Sequence, residues 1–284
     1  MFEKVVVIFG STGMLGHTLT KYLKNNTNYQ VIALTRKHYD VLNSDHNELV
    51  HLFKVFPPGS TVVNTIGLIP QTGNTNEDDY YKINAQFPKY LDDLCNLYNH
   101  KLIHITTDCV FNGLGNGNYT EVSIKDETNI YGKSKALGEE LQSATIIRTS
   151  IIGDQLRNSN NEIPYKSLLE WVLSNEHNEI KGYTNHYWNG VTCLRLSEII
   201  HIIIEKNLYW KGVSHIFSNT VSKYTLLNYI KDVYNLNIKI IPHECPQKID
   251  KTLFSRHLTN TIINKYIGEK SILAQLRGSA PVRR

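Results

Sequence analysis

No apolar run in this chain approaches the roughly 20 residues that a membrane-spanning helix needs. The longest, "VVVIF" and "IIHIII", stop at five and six residues. No charged segment precedes an apolar one at the start, because "VVVIFG" runs straight into a Gly-rich turn. The expectation is a strand rather than a leader peptide, and no contact with membrane. Cysteine is scarce, and Cys95, Cys109, Cys193 and Cys245 form no CxxC pair and no Cys/His spacing of metal ligands. That pattern predicts free thiols, a reducing cytoplasmic setting and no bound metal. Excess charge is lacking too. A net +4 scattered over 284 residues offers no basic stripe for nucleic acid, yet it suits an anionic small molecule. Internal repeats and low-complexity linkers are absent.

What is present alternates. "KVVVIF", "QVIAL", "TVVNTI", "KLIHIT" and "ATIIRT" are short apolar runs of the kind that become strands buried on both faces. Between them lie helical stripes, one of Leu49, Leu52, Phe53 and Phe56, another of Phe87, Leu91, Leu94 and Tyr98. The fold class expected is α/β, with a doubly wound parallel-sheet Rossmann domain over residues 1–150. After about Ser150 the alternation weakens into an Asn- and aromatic-rich stretch with a short helix near Ser167 to Leu173. Helix, strand, helix and strand then follow in "RLSEIIHIIIEK", "SHIFSN", "KYTLLNYIKDVYN" and "IKIIP". These predict a smaller C-terminal lobe over 151–277 that covers the open edge of the first domain, with segments returning to the Rossmann sheet. The final "GSAPVRR" is left out of this reading as a tail.

"FGSTGMLGHTL" puts Gly10, Gly13 and Gly16 between a strand and a helix. Glycines there allow a tight turn and the close approach of a pyrophosphate to the positive helix end. Gly10, Ser11, Thr12, Gly13, Met14 and Leu15 are therefore cofactor-binding candidates. The second strand ends in Thr35, Arg36 and Lys37 where an NAD site usually carries a carboxylate. A hydroxyl and two cations suit a 2′-phosphate instead, and hence NADP (NADPH).

"NIYGKSKALGE" places Tyr131 and Lys135 one turn apart on one helix face. Lowering a phenol from about 10 to neutrality takes roughly 4 kcal/mol. An ammonium about 4 Å away supplies on the order of 4 kcal/mol at an effective dielectric of 20. The pair is matched to proton transfer near pH 7.

Taken with Thr107 at a strand end, these motifs resemble the short-chain dehydrogenase/reductase superfamily. "GSTGMLG", "NTIG", "YKINAQFPKYL", "HITTDCVFNG", "YGKSKALGE" and "IIRTSIIG" look most like dTDP-4-dehydrorhamnose reductases and related sugar-nucleotide reductases or epimerase/reductases. The resemblance implies an NADPH-dependent 4-reductase of a nucleotide-linked 4-keto-6-deoxyhexose, with a homodimer as the family's habit. Tyr131 would protonate the carbonyl oxygen, Lys135 would hold the nicotinamide ribose, and Thr107 would hydrogen-bond the same oxygen. Asn64 and Gly67 would line the cofactor cleft, with Asn84 in support. The lobe would bind substrate, with "YTNHYWNGVT" supplying His186, Tyr187 and Trp188. A non-catalytic NADP-binding regulatory subunit of the rhamnose-reductase type is the alternative, and the retained Thr107, Tyr131 and Lys135 argue against it.

The departure from the pattern is Cys109, in "TTDCVF" where these reductases usually carry Tyr. Dehydratases of the same fold carry Glu there, so that activity lacks its base. Epimerase/reductases carry Cys, which implies a 3-epimerase or 3,5-epimerase step with Cys109 and a second group, Lys166 or else His186. Cys109 also fits as plain packing, since free cysteine is commonly buried. The base of the nucleotide and the C2 substituent stay open.

Overall fold

The computed structural model describes residues 4–157 and 167–280. The five apolar runs become parallel strands β1 (Val5–Phe9), β2 (Gln30–Leu34), β3 (Thr61–Asn64), β4 (Lys101–Thr107) and β5 (Thr145–Thr149). A sixth strand, Gly212–His215, pairs with β5, and the sheet order is Gly212–His215, β5, β4, β3, β1, β2, parallel throughout. "SHIFSN" therefore contributes to the main sheet, starting two residues earlier than its apolar run suggests.

Side-chain alternation in β1 feeds both faces of the sheet. Val6 and Ile8 meet the helices Met14–Asn26 and Cys193–Glu205 through Leu19, Ile200 and Ile203. Val7 and Phe9 meet His46–Val55 and Phe87–Leu97 through Leu49, Phe53, Phe87 and Leu91. With both faces covered, the strands read as continuous apolar runs. From β1 the chain steps to β2 on one side and later to β3 on the other. Strand order thus reverses between β1 and β3, and their carboxyl ends open a crevice there.

The remaining chain forms a second core of Trp188, Leu226, Ile230, Ile240 and Leu276 around the helix Lys223–Tyr234. A small sheet sets His186–Trp188 between Val221–Ser222, antiparallel, and Ile249–Asp250, parallel. The last helix, Ile272–Ser279, takes in Gly278 and Ser279, so part of the stretch set aside as a tail belongs to the fold.

A buried ionic seam joins the sheet to this second part. Arg148, 1% exposed, donates from Nε and Nη2 to Glu139 at 2.9 and 2.5 Å, and from Nη1 to His215 Nε2 at 2.8 Å. Arginine can only donate, so His215 carries its proton on Nδ1 and gives it to the Phe254 carbonyl at 2.8 Å. Glu121 accepts from Ser255 Oγ at 2.6 Å, Arg256 N at 3.0 Å and His215 N at 3.1 Å. Among the described residues no helix is long and apolar enough to cross a membrane.

Candidate active site

β1 ends in Gly10, whose φ of +79° lies in the left-handed region that glycine adopts without strain. A Cβ on Gly16 would run into the Gly10 carbonyl, so the helix can start this close to the strand only with glycine there. Gly13 is the N-cap of Met14–Asn26, and no side chain caps it and no acidic residue occupies the first turn. Asp45, Asn129, Thr192 and Ser222 each cap their own helices. The bare N–H groups of the first helix therefore face the crevice as an anion site. Thr12 and Gly13 are exposed, Met14 is half-buried, and Leu15 offers only its backbone because its side chain is in the core.

Ser11 donates from N and Oγ to the Leu34 carbonyl at 3.0 and 2.8 Å, pinning the turn against the end of β2. Thr35 follows there, its hydroxyl 3.0 Å from His38 Nδ1, with Arg36 and Lys37 exposed beside it.

Asn64 ends β3 fully buried, accepting from Ile66 N at 3.0 Å and donating to His104 Nδ1 at 3.1 Å. A Cβ on Gly67 would stand 2.7 Å from Lys135 Nζ, so its absence makes room for the ammonium. Asn84 sits in a π-helical turn, Lys82–Gln86, a distortion frequent at functional sites. It accepts from Leu68 N at 2.9 Å and donates to Leu68 O at 2.9 Å and Ser134 Oγ at 3.0 Å. The loop after β3 is thereby tied to the helix Ile130–Leu137, which carries Tyr131 and Lys135.

Lys135 is 5% exposed and has no hydrogen-bond partner among the described residues. Burial pulls its ammonium down to about 8, against the opposing pull of Glu139. Fully buried His104 is held well below the usual imidazole range, by burial first and then by Lys135. Thr107, at the end of β4, accepts from Cys109 N at 3.1 Å and donates to Asp108 Oδ1 at 3.1 Å. The Tyr131 helix packs on that turn, since a Cβ on Gly132 would lie 2.6 Å from the Cys109 carbonyl.

The glycine turn, Asn64, Gly67, Thr107, Tyr131 and Lys135 thus gather around the carboxyl ends of β1, β3 and β4, with Asn64 and Lys135 buried there. Cys109 is there too, half-buried, its thiol pushed up to about 12 by burial and then by Asp108, with Lys251 opposing. Lys166 lies outside the described residues. His186 packs against Tyr183, with ring centroids 4.5 Å apart and the planes tilted by 35°, and contacts the Gln247 carbonyl through Nε2 at 3.3 Å. Trp188 is 5% exposed, and its indole N–H is spent on Ser150 Oγ at 2.7 Å. It is a packing residue of the second core rather than an open stacking surface.

Lys223 and Lys251 went unnoticed in the sequence although both act electrostatically on Cys109 and Asp108. For Lys223 one signal was available: a cation right after the Ser222 N-cap, where the helix dipole opposes it. No group of three or more metal-ligating side chains occurs among the described residues.

The fold is a doubly wound α/β sheet with a glycine turn after β1, a Thr at the end of β4, and a Tyr and a Lys one turn apart on a helix. Residues 4–269 match the family model described as the RmlD substrate binding domain, and the chain belongs to that family. It is 38% identical over 151 residues to the spore coat polysaccharide biosynthesis protein SpsK of Bacillus subtilis, covering 51% of this chain and 52% of that one. A longer match, 23% identical and covering 81% of this chain and 72% of the other, is to the methionine adenosyltransferase 2 subunit beta of Bos taurus. The crystal structure of dTDP-4-dehydrorhamnose reductase from Bacillus anthracis in complex with NADP superposes with a TM-score of 0.80 at 21% identity, over 98% of each chain. The chain spans about half the length of SpsK and of several other curated relatives it matches.

Proposed function

We propose that this protein is an NADPH-dependent 4-reductase of a nucleotide-linked 4-keto-6-deoxyhexose, with the dinucleotide held by residues 1–150 and the sugar nucleotide by 151–277. One observation carries the reading. The buried Lys135 ammonium, with no hydrogen-bond partner among the described residues, stands one turn from Tyr131 and against Gly67 in the loop after β3. The bare N–H groups of the helix Met14–Asn26 suit the pyrophosphate, Arg36 and Thr35 the 2′-phosphate, and Lys135 the nicotinamide ribose. NADPH supplies a hydride when bound.

The protein's own work is with protons. Tyr131 gives its phenolic proton to the carbonyl oxygen, and Lys135 stabilises the phenolate left behind. Thr107 reorients its hydroxyl from Asp108 toward the same oxygen as negative charge grows there. Asn84 holds the loop and helix in register, so the ammonium keeps its place.

The test is NADPH consumption with UDP-, dTDP- and GDP-linked 4-keto-sugars made in situ by a dehydratase, followed by product NMR. Turnover with at least one, and weaker turnover with NADH, is expected. Binding of NADPH without any turnover would instead favour a regulatory subunit.

A coupled epimerisation is a second reading, favoured by the placement of Cys109 beside Thr107 with Lys223 and Lys251 near it. The upward-shifted thiol is a poor base at neutral pH. Incubation with NADP⁺ and the keto-sugar in D₂O decides it: deuterium at C3 or C5, lost in Cys109→Ser, supports epimerisation, and no exchange makes Cys109 packing.

A further inference from the structure

Lys223 is placed where the fold gives it no support. It begins the helix Lys223–Tyr234 directly after the N-cap, so the dipole repels it. Its side chain is half-buried, and its ammonium lies 5.4 Å from the centroid of the Trp188 ring. Among the described residues it makes neither an ion pair nor a hydrogen bond, whereas its neighbours do. Lys251 pairs with Glu127 at 3.1 Å and Lys248 with Asp250 at 3.5 Å. Burial pulls the Lys223 ammonium below its ordinary range, and Asp108 and Cys109 pull it back. Trp188 bonds Ser150 Oγ at 2.7 Å, and Ser150 follows Thr149, the β5 partner of Thr107, so the lysine on the Trp188 face stands close to the carboxyl end of β4.

A desolvated, unpaired ammonium at a helix N-terminus is costly on three counts. Its distribution makes sense when the missing partner arrives with a ligand. We propose that Lys223 is a substrate-contacting specificity residue whose ammonium donates to a neutral oxygen on the sugar ring beside the reacting carbonyl. This rests on the keto-sugar reading above. The sugar is favoured over the diphosphate because the Asp108 carboxylate, which acts on the same ammonium, would repel a phosphate. The Trp188 face gives the ammonium a partly compensating surface until substrate binds.

Lys223→Met and Lys223→Arg in the full chain test this. A charge-assisted hydrogen bond lost to Met should raise KM for the keto-sugar nucleotide by roughly 10- to 100-fold. Arg should recover most of that loss. The Kd for NADPH, inhibition by the free nucleoside diphosphate and the melting temperature should all hold in both variants. An unchanged KM in Lys223→Met overturns the assignment. So does a parallel loss of nucleoside diphosphate inhibition, which would move the contact to the phosphates. Equal damage in Met and Arg together with lowered melting would make the residue structural. If the native protein turns over no keto-sugar, the parent reading fails and this one with it; native turnover with an insensitive KM breaks only the lysine's role.

Discussion

The wall of the crevice built by β1 to β4 takes its polar groups from a few contiguous stretches, while the facing wall assembles them from short ribbons spread between His186 and Lys251. On the first wall each group sits at a strand's carboxyl end or in a helix's first turns, where backbone geometry alone fixes its direction. Gly10, Asn64, Thr107 and the Tyr131–Lys135 pair are of this kind. On the second, position depends on pairings between two- and three-residue strands, such as Tyr187 against Ser222 and Asp250. The chemistry differs in the same way. The first wall holds unspent donors, the bare helix end and the Lys135 ammonium. The second spends Lys248 on Asp250 within itself and Lys251 on Glu127 of the first part, and leaves Lys223 over. Under the proposed function, a dinucleotide would call for the first design, and a wall fitted to one particular sugar would be free to vary, as the second is.

Under the proposed function Tyr131 belongs to the first wall but would act on what the second wall holds, so its removal should give the largest effect. Tyr131→Phe keeps the ring against Leu68, Tyr80 and Ile83 and deletes the proton donor. Reduction should fall by about 10²–10⁴, as for loss of a general acid, with NADPH affinity retained in a fluorescence titration. Near-native turnover would detach the Tyr131–Lys135 pair from chemistry. Because Lys135 sits at about 8, kcat/KM should also decline as pH rises through that value and its charge is lost.

Arg36 offers a smaller test confined to the first wall. Exposed at the end of β2, it should favour NADPH over NADH through a charge-assisted contact. Arg36→Ala should cut the NADPH preference in kcat/KM by roughly 10- to 150-fold, the equivalent of about 1.5–3 kcal/mol. KM for the keto-sugar should stay put. Equal use of both nucleotides by the native protein would break the division of labour between the walls.

The same contrast explains what could be read in the sequence. β1 to β5 and the glycine turn were legible because a doubly buried strand and a bare helix start each leave a local signature, "VVVIF" followed by Gly10, Gly13 and Gly16. Thr107, Tyr131 and Lys135 stood at fixed spacings from such signatures. A return of later segments to the Rossmann sheet was legible, but that Gly212–His215 is the returning strand and β5 its neighbour needed the pairing itself. An aromatic in an Asn-rich stretch fits stacking on substrate or simple packing equally well, and only the burial of Trp188 decides for packing. Lys223 and Lys251 were missed for a related reason. Their significance lies in which partners they lack or find across more than a hundred residues, and no local pattern encodes that.

The smallest expected effect concerns how the second wall is fastened. His215 is wholly buried between Arg148 and the Phe254 carbonyl, and burial followed by Arg148 lowers it from 6.5 to about 4. Its folded value lies below its unfolded one, so the unfolded chain takes up the proton first. Stability from the neutral imidazole is therefore complete above about pH 6.5 and is lost progressively as pH falls toward 4. Between pH 7 and pH 5 that amounts to about 2 kcal/mol, a melting shift of several degrees for a chain of this size. Glu121, lowered to about 2, keeps its own bonds to Ser255 and Arg256 through this range and fails only in a more acid window. His215→Gln retains an acceptor for Arg148 without a titrating group, so its melting temperature should vary less over pH 5–7 than the native protein's. The seam anchors residues 254–256, next to Lys251 and Glu127, whereas the glycine turn lies beyond β3 and β4. Acid should accordingly weaken keto-sugar binding before it weakens NADPH binding. If both decline together, or the glutamine variant follows the native curve, the two walls are not fastened independently.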